Sequence, residues 1–472
     1  MRDIMMALAV TVTAAGSLVA QQPRRSGADQ RQQVSITVYN QNFGLVREIR
    51  EVDLGRGPGE LEFRDVAGQI EPYTVSVRAL DGRPLRVLEQ NYRYDLLSPE
   101  QLLRKYVGRT ITVYRWNPVK GVDEPYQAEV ISVNQSPILR IGNEITYGFP
   151  GRMTFPEIPE NLIAEPTLVW LLDGDQGRRR IEASYLTKGM TWRADYVMVV
   201  NDADTRADLT GWVTLDNRSG TSYRDAQLKL VAGDVQRVRE DLQDRMGRME
   251  GLRAAAEMDA PMMTEEGLFE YHLYTLQRPT TLLDNEQKQV TLLEASGIAL
   301  RKRLVLAGSP YRFRSQLGDV ASSEKVSVFL EFTNAETNQL GMPLPKGIVR
   351  VYKADRAGAQ QFIGEDRIDH TPRDEMLRIK MGEAFDVVAD RRQMEWRVIR
   401  SCESESRWEI ELRNRKDEPV EVDVMEPVGG DWTVLESTHT WERVDSRTFR
   451  FRVAVPVGDT TTVSYRVRVK WC

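Results

Sequence analysis

The sequence predicts a mainly β, multi-domain protein built from antiparallel β-sandwiches with few short helices. Segments in which apolar and polar residues alternate recur along most of the chain, and turns rich in Gly, Pro, Asp and Asn separate them. The chain has 472 residues, with 41% hydrophobic and 28% charged residues, as in soluble globular domains. That length exceeds what one hydrophobic core usually supports, so we expect roughly two to four domains.

The N-terminus has the architecture of a secretory signal peptide. Arg2 precedes an apolar run that ends at Val19, and the small residue Ala20 follows. We expect residues 1–20 to be a signal peptide, with a buried N-terminal helix as the alternative. The polar residues 21–34 then form a flexible leader. The mature protein is expected to be exported, periplasmic or extracellular, and without a membrane span.

The first folded part is predicted to be an N-terminal β-domain interrupted by an insertion. Its two pieces are residues 35–97 and about 165–200, both with period-2 alternation. Between them, Ser98 as N-cap and Pro99 at the first position favour a short helix. About five closely spaced short strands follow this helix, so residues 98–160 are expected to form a small SH3-like barrel.

The remainder is predicted to form two further β-domains. Residues 201–395 form the central one, interrupted by residues 237–267, which are rich in Arg, Glu, Met and Ala and favour a mobile helical or disordered loop. Residues 396–472 form an immunoglobulin-like or fibronectin-like β-sandwich. Its strands each have one apolar and one charged face, as in RTFRFRVAV and TTVSYRVRVKW.

Charge and motifs exclude several function classes. The net charge is −6, with acids and bases interleaved and no basic stripe, so no nucleic-acid partner is expected. The three histidines lie far apart in sequence and without metal-pair spacing. The chain contains neither a P-loop nor a G-x-S-x-G motif. We therefore expect no cofactor.

The strongest catalytic candidate is the segment GEDRIDH. It contains Glu365, Asp366, Asp369 and His370. Carboxylates beside an imidazole are suited to acid–base catalysis or metal binding. A strand would place Asp369 on the opposite face from Asp366 and His370, so a charged turn and an exposed strand are the alternative.

Two segments offer metal ligands. Asp202, Asp204 and Asp208 have the alternating acids of a calcium loop but lack its Gly and bidentate Glu, so a surface loop is the alternative. Five methionines in or near the predicted loop have thioethers that suit Cu(I), with a mobile loop or a partner-binding surface as the alternative. They are Met246, Met249, Met258, Met262 and Met263.

Cysteine and tryptophan offer further candidates. Cys402 and Cys472 are the only cysteines, and in an oxidising compartment they form either a disulfide or two free thiols. Exposed tryptophans on a sandwich can stack on sugars. Trp212 lies opposite a predicted core face and Trp432 follows a turn, so these two are the candidates for a glycan surface.

Two segments carry a family resemblance, SYLTKGMTWRADYVM and GWVTLDNRSGTSYRDAQLKLVAGDV. They resemble the bacterial domain-of-unknown-function 4139 family, whose relatives include the mucoidy inhibitor A proteins. The resemblance extends through later segments, such as LEFTNAETNQLGMPLPKGIVRVYKAD and FIGEDRIDHTPRDEMLRIKMGEAFDV, and through the final sandwich. It thus covers about the C-terminal two-thirds of the chain and implies a β-rich fold and a bacterial origin. It implies no catalytic residue, because the family has no established reaction. The N-terminal third departs from the mucoidy-inhibitor pattern, since it has no long coiled-coil heptads.

These observations favour a non-enzymatic, exported binding or structural protein of the bacterial cell envelope. Its expected partner is a protein or a glycan of that envelope. The alternatives are a carboxylate-dependent hydrolase and a copper- or calcium-binding envelope protein.

Overall fold

A computed structural model describes residues 24–159, 162–233, 235–237, 263–317 and 323–472. It confirms the predicted fold class, mainly β with few short helices. Strands contain 65% of the residues and form several antiparallel sheets, and helices contain 5%. No helix in these ranges is long and apolar enough to cross a membrane. The predicted signal peptide, residues 1–20, lies outside them.

The first half of the fold contains 16 strands and one α-helix, interspersed with short 3₁₀ turns. Six strands precede the helix: β1 Arg24–Ser26, β2 Arg31–Tyr39, β3 Phe43–Leu54, β4 Gly59–Arg64, β5 Ser76–Ala79 and β6 Leu85–Arg93. The helix and the next five strands are α1 Pro99–Lys105, β7 Thr110–Asn117, β8 Val122–Ser132, β9 Ile138–Ile141, β10 Glu144–Tyr147 and β11 Arg152–Thr154. Five longer strands follow: β12 Thr167–Gly174, β13 Gly177–Lys188, β14 Met190–Val200, β15 Arg206–Asn217 and β16 Tyr223–Ala232.

The second half consists of strands and two more 3₁₀ turns. Its first strands are β17 Met263–Leu268, β18 Tyr271–Leu276, β19 Thr280–Leu282, β20 Glu286–Ala299, β21 Arg301–Ala307, β22 Glu324–Thr333, β23 Gly347–Ala354 and β24 Gln360–Ile368. Its last strands are β25 Met376–Arg400, β26 Glu403–Asn414, β27 Val420–Pro427, β28 Asp431–Ser437, β29 Trp441–Asp445, β30 Thr448–Val455 and β31 Thr460–Lys470. Four 3₁₀ turns occur in the described ranges, at Ala28–Gln30, Pro72–Thr74, Pro310–Phe313 and Glu336–Asn338.

Three sheets supply most of the largest hydrophobic core, to which β22 and β25 add Leu330, Phe332, Leu377 and Ile379. The three sheets are β1-β4-β12-β6, then β17-β18-β16-β2-β3-β13-β5 with β19 paired to β16, and β20-β15-β14-β23-β24. Strand β15 shows why the period-2 pattern predicted this arrangement. Leu209, Val213 and Leu215 are buried on one face, while Trp212 on the other face is only half-buried.

The inserted unit has its own small core. The Oγ of Ser98 accepts the N–H of Gln101 at 3.1 Å and caps α1, as the sequence predicts. Behind α1 the strands form the sheet β10-β9-β8-β7-β11. The buried side chains that hold this sheet together are Tyr106, Ile111, Val113, Ala128, Val130 and Leu139.

The C-terminal part is a nine-stranded sheet, β28-β31-β26-β25-β22-β21-β27-β30-β29, around a second core. Along β31, the apolar residues Val463, Tyr465 and Val467 are buried, whereas Arg466 and Arg468 lie on the charged face. This alternation matches the sequence prediction for the last strand.

The predicted domain boundaries differ from the sheets in two places. A boundary between residues 395 and 396 falls inside β25, and strands β21, β22 and β25 all belong to the nine-stranded sheet of the C-terminal part. A boundary between residues 200 and 201 separates β14 from β15, although these strands are antiparallel neighbours. Long-range strand pairing decides both, and local alternation carries no information about it.

Two segments for which no strand is predicted contain strands. Residues 24–34 of the predicted leader include β1 and the start of β2, because β1 adds in parallel to β4. The predicted loop 237–267 ends earlier than expected, since β17 begins at Met263 and pairs with β18. Residues 238–262 of that loop lie outside the described residues.

Candidate functional site

The site begins with the two faces of the sheet β1-β4-β12-β6. Along β4, Leu61 and Phe63 are buried in the core. Side chains alternate along a strand, so Glu62 and Arg64 lie on the outer face. Parallel pairing places Arg25 of β1 directly beside Glu62, on that same face.

Three guanidinium groups surround the carboxylate of Glu62. Arg64 Nη2 lies 2.6 Å from Glu62 Oε2, and Arg25 Nε lies 3.2 Å from the same oxygen. Arg93, on the other edge strand β6, approaches Oε1 to 3.2 Å. We call Arg25, Glu62, Arg64 and Arg93 the arginine cluster.

The arginine cluster has more positive than negative charge. The side chain of Glu62 is 8% exposed, whereas those of Arg25, Arg64 and Arg93 are 65%, 37% and 45% exposed. A single carboxylate cannot satisfy three guanidinium groups, each of which has five N–H donors. The three arginines line a cleft of about 260 Å³, whose other wall is formed by residues 162–165 and Thr167.

A pair of carboxyl groups borders the arginine cluster. Glu165 lines the cleft and hydrogen bonds to Asp65, which follows β4 in the left-handed conformation (φ 59°) and accepts the N–H of Ala28 at 2.7 Å. This hydrogen bond, burial and repulsion by Asp65 raise the pKa of Glu165. Partial burial opposes ionisation of Asp65, but the hydrogen bonds from Glu165 and Ala28 lower its pKa. As the pH rises, Asp65 therefore loses its proton before Glu165 does.

A buried ion pair holds the strands beneath the cluster. Glu48 and Arg50 of β3 are fully buried, and Arg50 Nη2 lies 2.6 Å from Glu48 Oε2. Arg50 Nη1 also donates to the carbonyls of Ser26, at 2.9 Å, and Arg64, at 2.8 Å. One guanidinium thus ties the ends of β1 and β4 together, which fixes the backbone that carries Arg25 and Arg64.

The predicted catalytic carboxylates of GEDRIDH make separate contacts. Glu365 lies on β24, is half-exposed and pairs with Arg350 at 3.3 Å. Asp366 accepts the backbone N–H of Lys380, at 2.6 Å, and of Arg367, at 2.8 Å. Each carboxylate is thus used in the local structure of β24 and its neighbours.

Asp369 and His370 lie beyond the end of β24 at Ile368. The carbonyl of Asp369 accepts the Thr371 hydroxyl at 2.9 Å, and His370 Nδ1 accepts the N–H of Lys346 at 3.2 Å. In the described part of the chain, no group of three or more His, Cys, Asp or Glu side chains is arranged to hold a metal ion.

The predicted calcium loop is occupied by lysine side chains. Asp204 accepts from Lys302 Nζ at 2.6 Å and from Lys353 Nζ at 2.5 Å. Burial opposes ionisation of Asp204, but these two ammonium groups lower its pKa below the usual value. Asp202 contributes its backbone carbonyl to Lys353, and Asp208 accepts a backbone N–H from β20. Two ammonium groups thus lie where a cation would have to bind.

The predicted methionine cluster falls almost entirely outside the described residues. Only Met263 lies within them, fully buried at the start of β17. The two cysteines, Cys402 and Cys472, form a disulfide with Cα atoms 5.9 Å apart.

Neither tryptophan predicted for a glycan surface is fully exposed. Trp432 is buried, packs against Trp441 and Phe449, and donates from Nε1 to the carbonyl of Ser446 at 3.0 Å. Trp212 is half-buried. Trp432 therefore belongs to the C-terminal core.

Sequence reasoning missed the arginine cluster because its members lie on three separate strands. Only Glu62 and Arg64 are close in sequence, and the spacing i, i+2 on a strand shows merely that they share a face. Arg25 lies in the predicted leader. Arg93 lies in a predicted strand whose pairing partner the sequence does not indicate.

Comparisons with known proteins do not assign the chain to a family. No protein-family model matches it. The comparison with curated proteins likewise gives no match.

Proposed function

We propose that this is a non-enzymatic, exported protein of the bacterial cell envelope that binds an anionic component in the cleft of the arginine cluster. The observation that carries the proposal is the convergence of Arg25, Arg64 and Arg93 on the single carboxylate of Glu62. The resemblance to the domain-of-unknown-function 4139 family supports the bacterial origin, and the signal-like N-terminus supports export. The disulfide is consistent with an oxidising compartment.

The chemistry of the cleft favours carboxylate, sulfate or phosphate groups. Planar guanidinium groups bind such groups through paired, charge-assisted hydrogen bonds. The apolar lining is small, since Leu162 and Ile163 are the large aliphatic side chains of the wall. An acidic glycan, or a phosphate-bearing or sulfate-bearing glycan, fits this balance better than a neutral one, for which the charge excess would go unused.

Arg64→Gln should weaken binding of inorganic sulfate or an oligogalacturonate by about tenfold, because it removes one charge-assisted hydrogen bond. Isothermal titration calorimetry on the mature chain measures this effect. Glu62→Gln should instead strengthen binding, because it removes the negative charge that competes with the ligand for the guanidinium groups. A merely structural cluster would not give opposite signs for these two substitutions.

Arg86→Gln is the matched control for that experiment. Arg86 lies on β6, the strand of Arg93, but its side chain is 73% exposed and lies 3.8 Å from Asp173, outside the arginine cluster. Its substitution should leave sulfate affinity unchanged. The proposal would be wrong if wild-type protein bound neither anion, or if Arg64→Gln and Arg86→Gln had equal effects.

Sulfate affinity is expected to decrease as the pH rises above the ordinary glutamate pKa of 4.5. The hydrogen bond to Asp65, burial and repulsion by Asp65 raise the pKa of Glu165, so this side chain loses its proton and becomes negative at a higher pH than an ordinary glutamate does. Its new charge faces the cleft and repels an anion. Sulfate keeps its charge over this range, so the protein alone contributes the change.

Glu165→Gln isolates this effect. The glutamine amide can still donate to Asp65 but does not titrate. Titrations of this variant with sulfate should show strong binding across the range, whereas the wild type loses affinity. A parallel decline in both proteins would assign the pH dependence to another group.

A further inference from the structure

The hairpin formed by β7 and β8 extends beyond the small sheet to which it belongs. Strand β11 reaches only as far as Tyr114 on β7, and β9 begins to pair only at Ala128 of β8. Between these points the two strands pair only with each other among the described residues. The hairpin therefore ends in a two-stranded ribbon that projects from the domain.

The end of this ribbon has apolar side chains that point in three directions. Trp116 is 60% exposed, Val119 is 92% exposed and Val122 is 50% exposed. Trp116 pairs with Asp123 on one face of the ribbon, and Val122 pairs with Asn117 on the other. Val119 lies in the turn between the strands. We call residues 116–122 the hairpin tip.

Hydrogen bonds within the turn hold the hairpin tip in this conformation. The side-chain oxygen of Asn117 accepts the N–H of Val119 at 2.9 Å and of Lys120 at 3.2 Å. The N–H of Gly121 donates to the Asn117 carbonyl at 2.9 Å, and Gly121 supplies the positive φ of 65° that the turn requires. Val119 is thus presented to solvent by a well-defined turn.

The charges next to the tip are largely neutralised within the ribbon. Lys120 Nζ lies 2.7 Å from Glu124 Oε1, and the Tyr126 hydroxyl donates to the other oxygen of Glu124 at 3.0 Å. The hydrogen bond from Lys120 is the main reason that the pKa of Glu124 falls to about 2. The ammonium group of Lys120, the charged side chain of the tip, is therefore already paired when the apolar end leaves water.

We propose that the hairpin tip inserts into the interfacial region of a lipid bilayer. Its three apolar side chains supply far less than the roughly 800 Å² that each partner buries in a specific protein interface. A single flat partner surface cannot cover side chains on both faces and at the apex, whereas the headgroup region surrounds an inserted ribbon on all sides. Tryptophan is also enriched at that depth. This inference is independent of anion binding.

Flotation of the full mature chain with vesicles of phosphatidylethanolamine and phosphatidylglycerol tests the proposal. We expect wild-type protein to float with the vesicles and Val119→Asp to reduce the vesicle-bound fraction about tenfold. Val457→Asp is the control, because Val457 is likewise an exposed valine, 52% exposed, after the last residue of β30. It should bind as the wild type does, and circular dichroism should show that all three proteins are folded.

Fluorescence locates the contact within the chain. Vesicles that contain brominated acyl chains should quench the emission of wild-type protein more than that of Trp116→Phe, which retains an apolar ring but not the indole. Absence of wild-type flotation, equal flotation of Val119→Asp, or equal quenching of both proteins would overturn the proposal. Sedimentation equilibrium tests whether a second copy of the chain binds the hairpin tip instead. A wild-type dimer that Val119→Asp dissociates would show that the tip is a self-association contact and would overturn the proposal.

Discussion

Arg391→Met is expected to lower the free energy of unfolding by about 3–5 kcal/mol, because it leaves buried carboxylates without their counter-charge. Arg391 of β25 and Glu426 of β27 are both fully buried in the C-terminal core and hydrogen bonded to each other. Arg391 Nε also lies 3.2 Å from Glu324. Burial alone would lower the pKa of Arg391, but the neighbouring acids, Glu426 above all, raise it, so the arginine stays charged.

The double variant Arg391→Met/Glu426→Leu separates the cost of an unpaired charge from the value of the pair. It removes both ions together, and Glu324 retains a partner in Arg312 at 2.6 Å. We expect it to recover most of the lost stability. Arg400→Gln is the surface control, since Arg400 is 81% exposed and lies 3.8 Å from Glu403. Urea unfolding followed by tryptophan fluorescence gives the comparison, and a loss below about 1 kcal/mol for Arg391→Met would contradict it.

Local alternation predicts a strand well where the strand faces a core on one side only, whereas β12 is buried on both faces over its first four residues and lacks this pattern. The pattern of β30 is an example, with Phe449, Phe451 and Val453 buried and Arg450 and Arg452 in surface ion pairs. The fold class follows from many such segments. This signal depends on side chains two residues apart, so it needs no knowledge of which strands are neighbours.

Local alternation does not predict the order of strands in a sheet, because strands pair through contacts between residues distant in sequence. Strand β21 pairs in parallel with β27, and β14 pairs in parallel with β23. Nothing in β21 itself shows that it joins the C-terminal sheet. The predicted boundary near residue 200 separates the neighbouring strands β14 and β15, and the one near residue 395 falls inside β25.

The same limit applies to the arginine cluster. A short motif such as GEDRIDH is visible in the sequence, but its charged side chains, although close in the chain, contact separate partners in space. Arg25, Glu62 and Arg93 converge only because β1, β4, β12 and β6 form one sheet. A cluster assembled by strand pairing has no sequence signature until that pairing is known.

Replacing both Cys402 and Cys472 with serine is expected to lower the free energy of unfolding by about 4 kcal/mol. The disulfide joins residues 70 positions apart and so restricts the unfolded chain over β26 to β31. In the folded state it closes the end of the ladder between β26 and β31, where Trp471 N–H donates to the Cys402 carbonyl at 2.9 Å. Guanidinium unfolding of the wild type should shift to lower denaturant on addition of dithiothreitol, while the double serine variant should not respond. Equal unfolding midpoints for oxidised and reduced wild-type protein would contradict this prediction. They would show that strand pairing alone, without the cross-link, stabilises this end of the sheet.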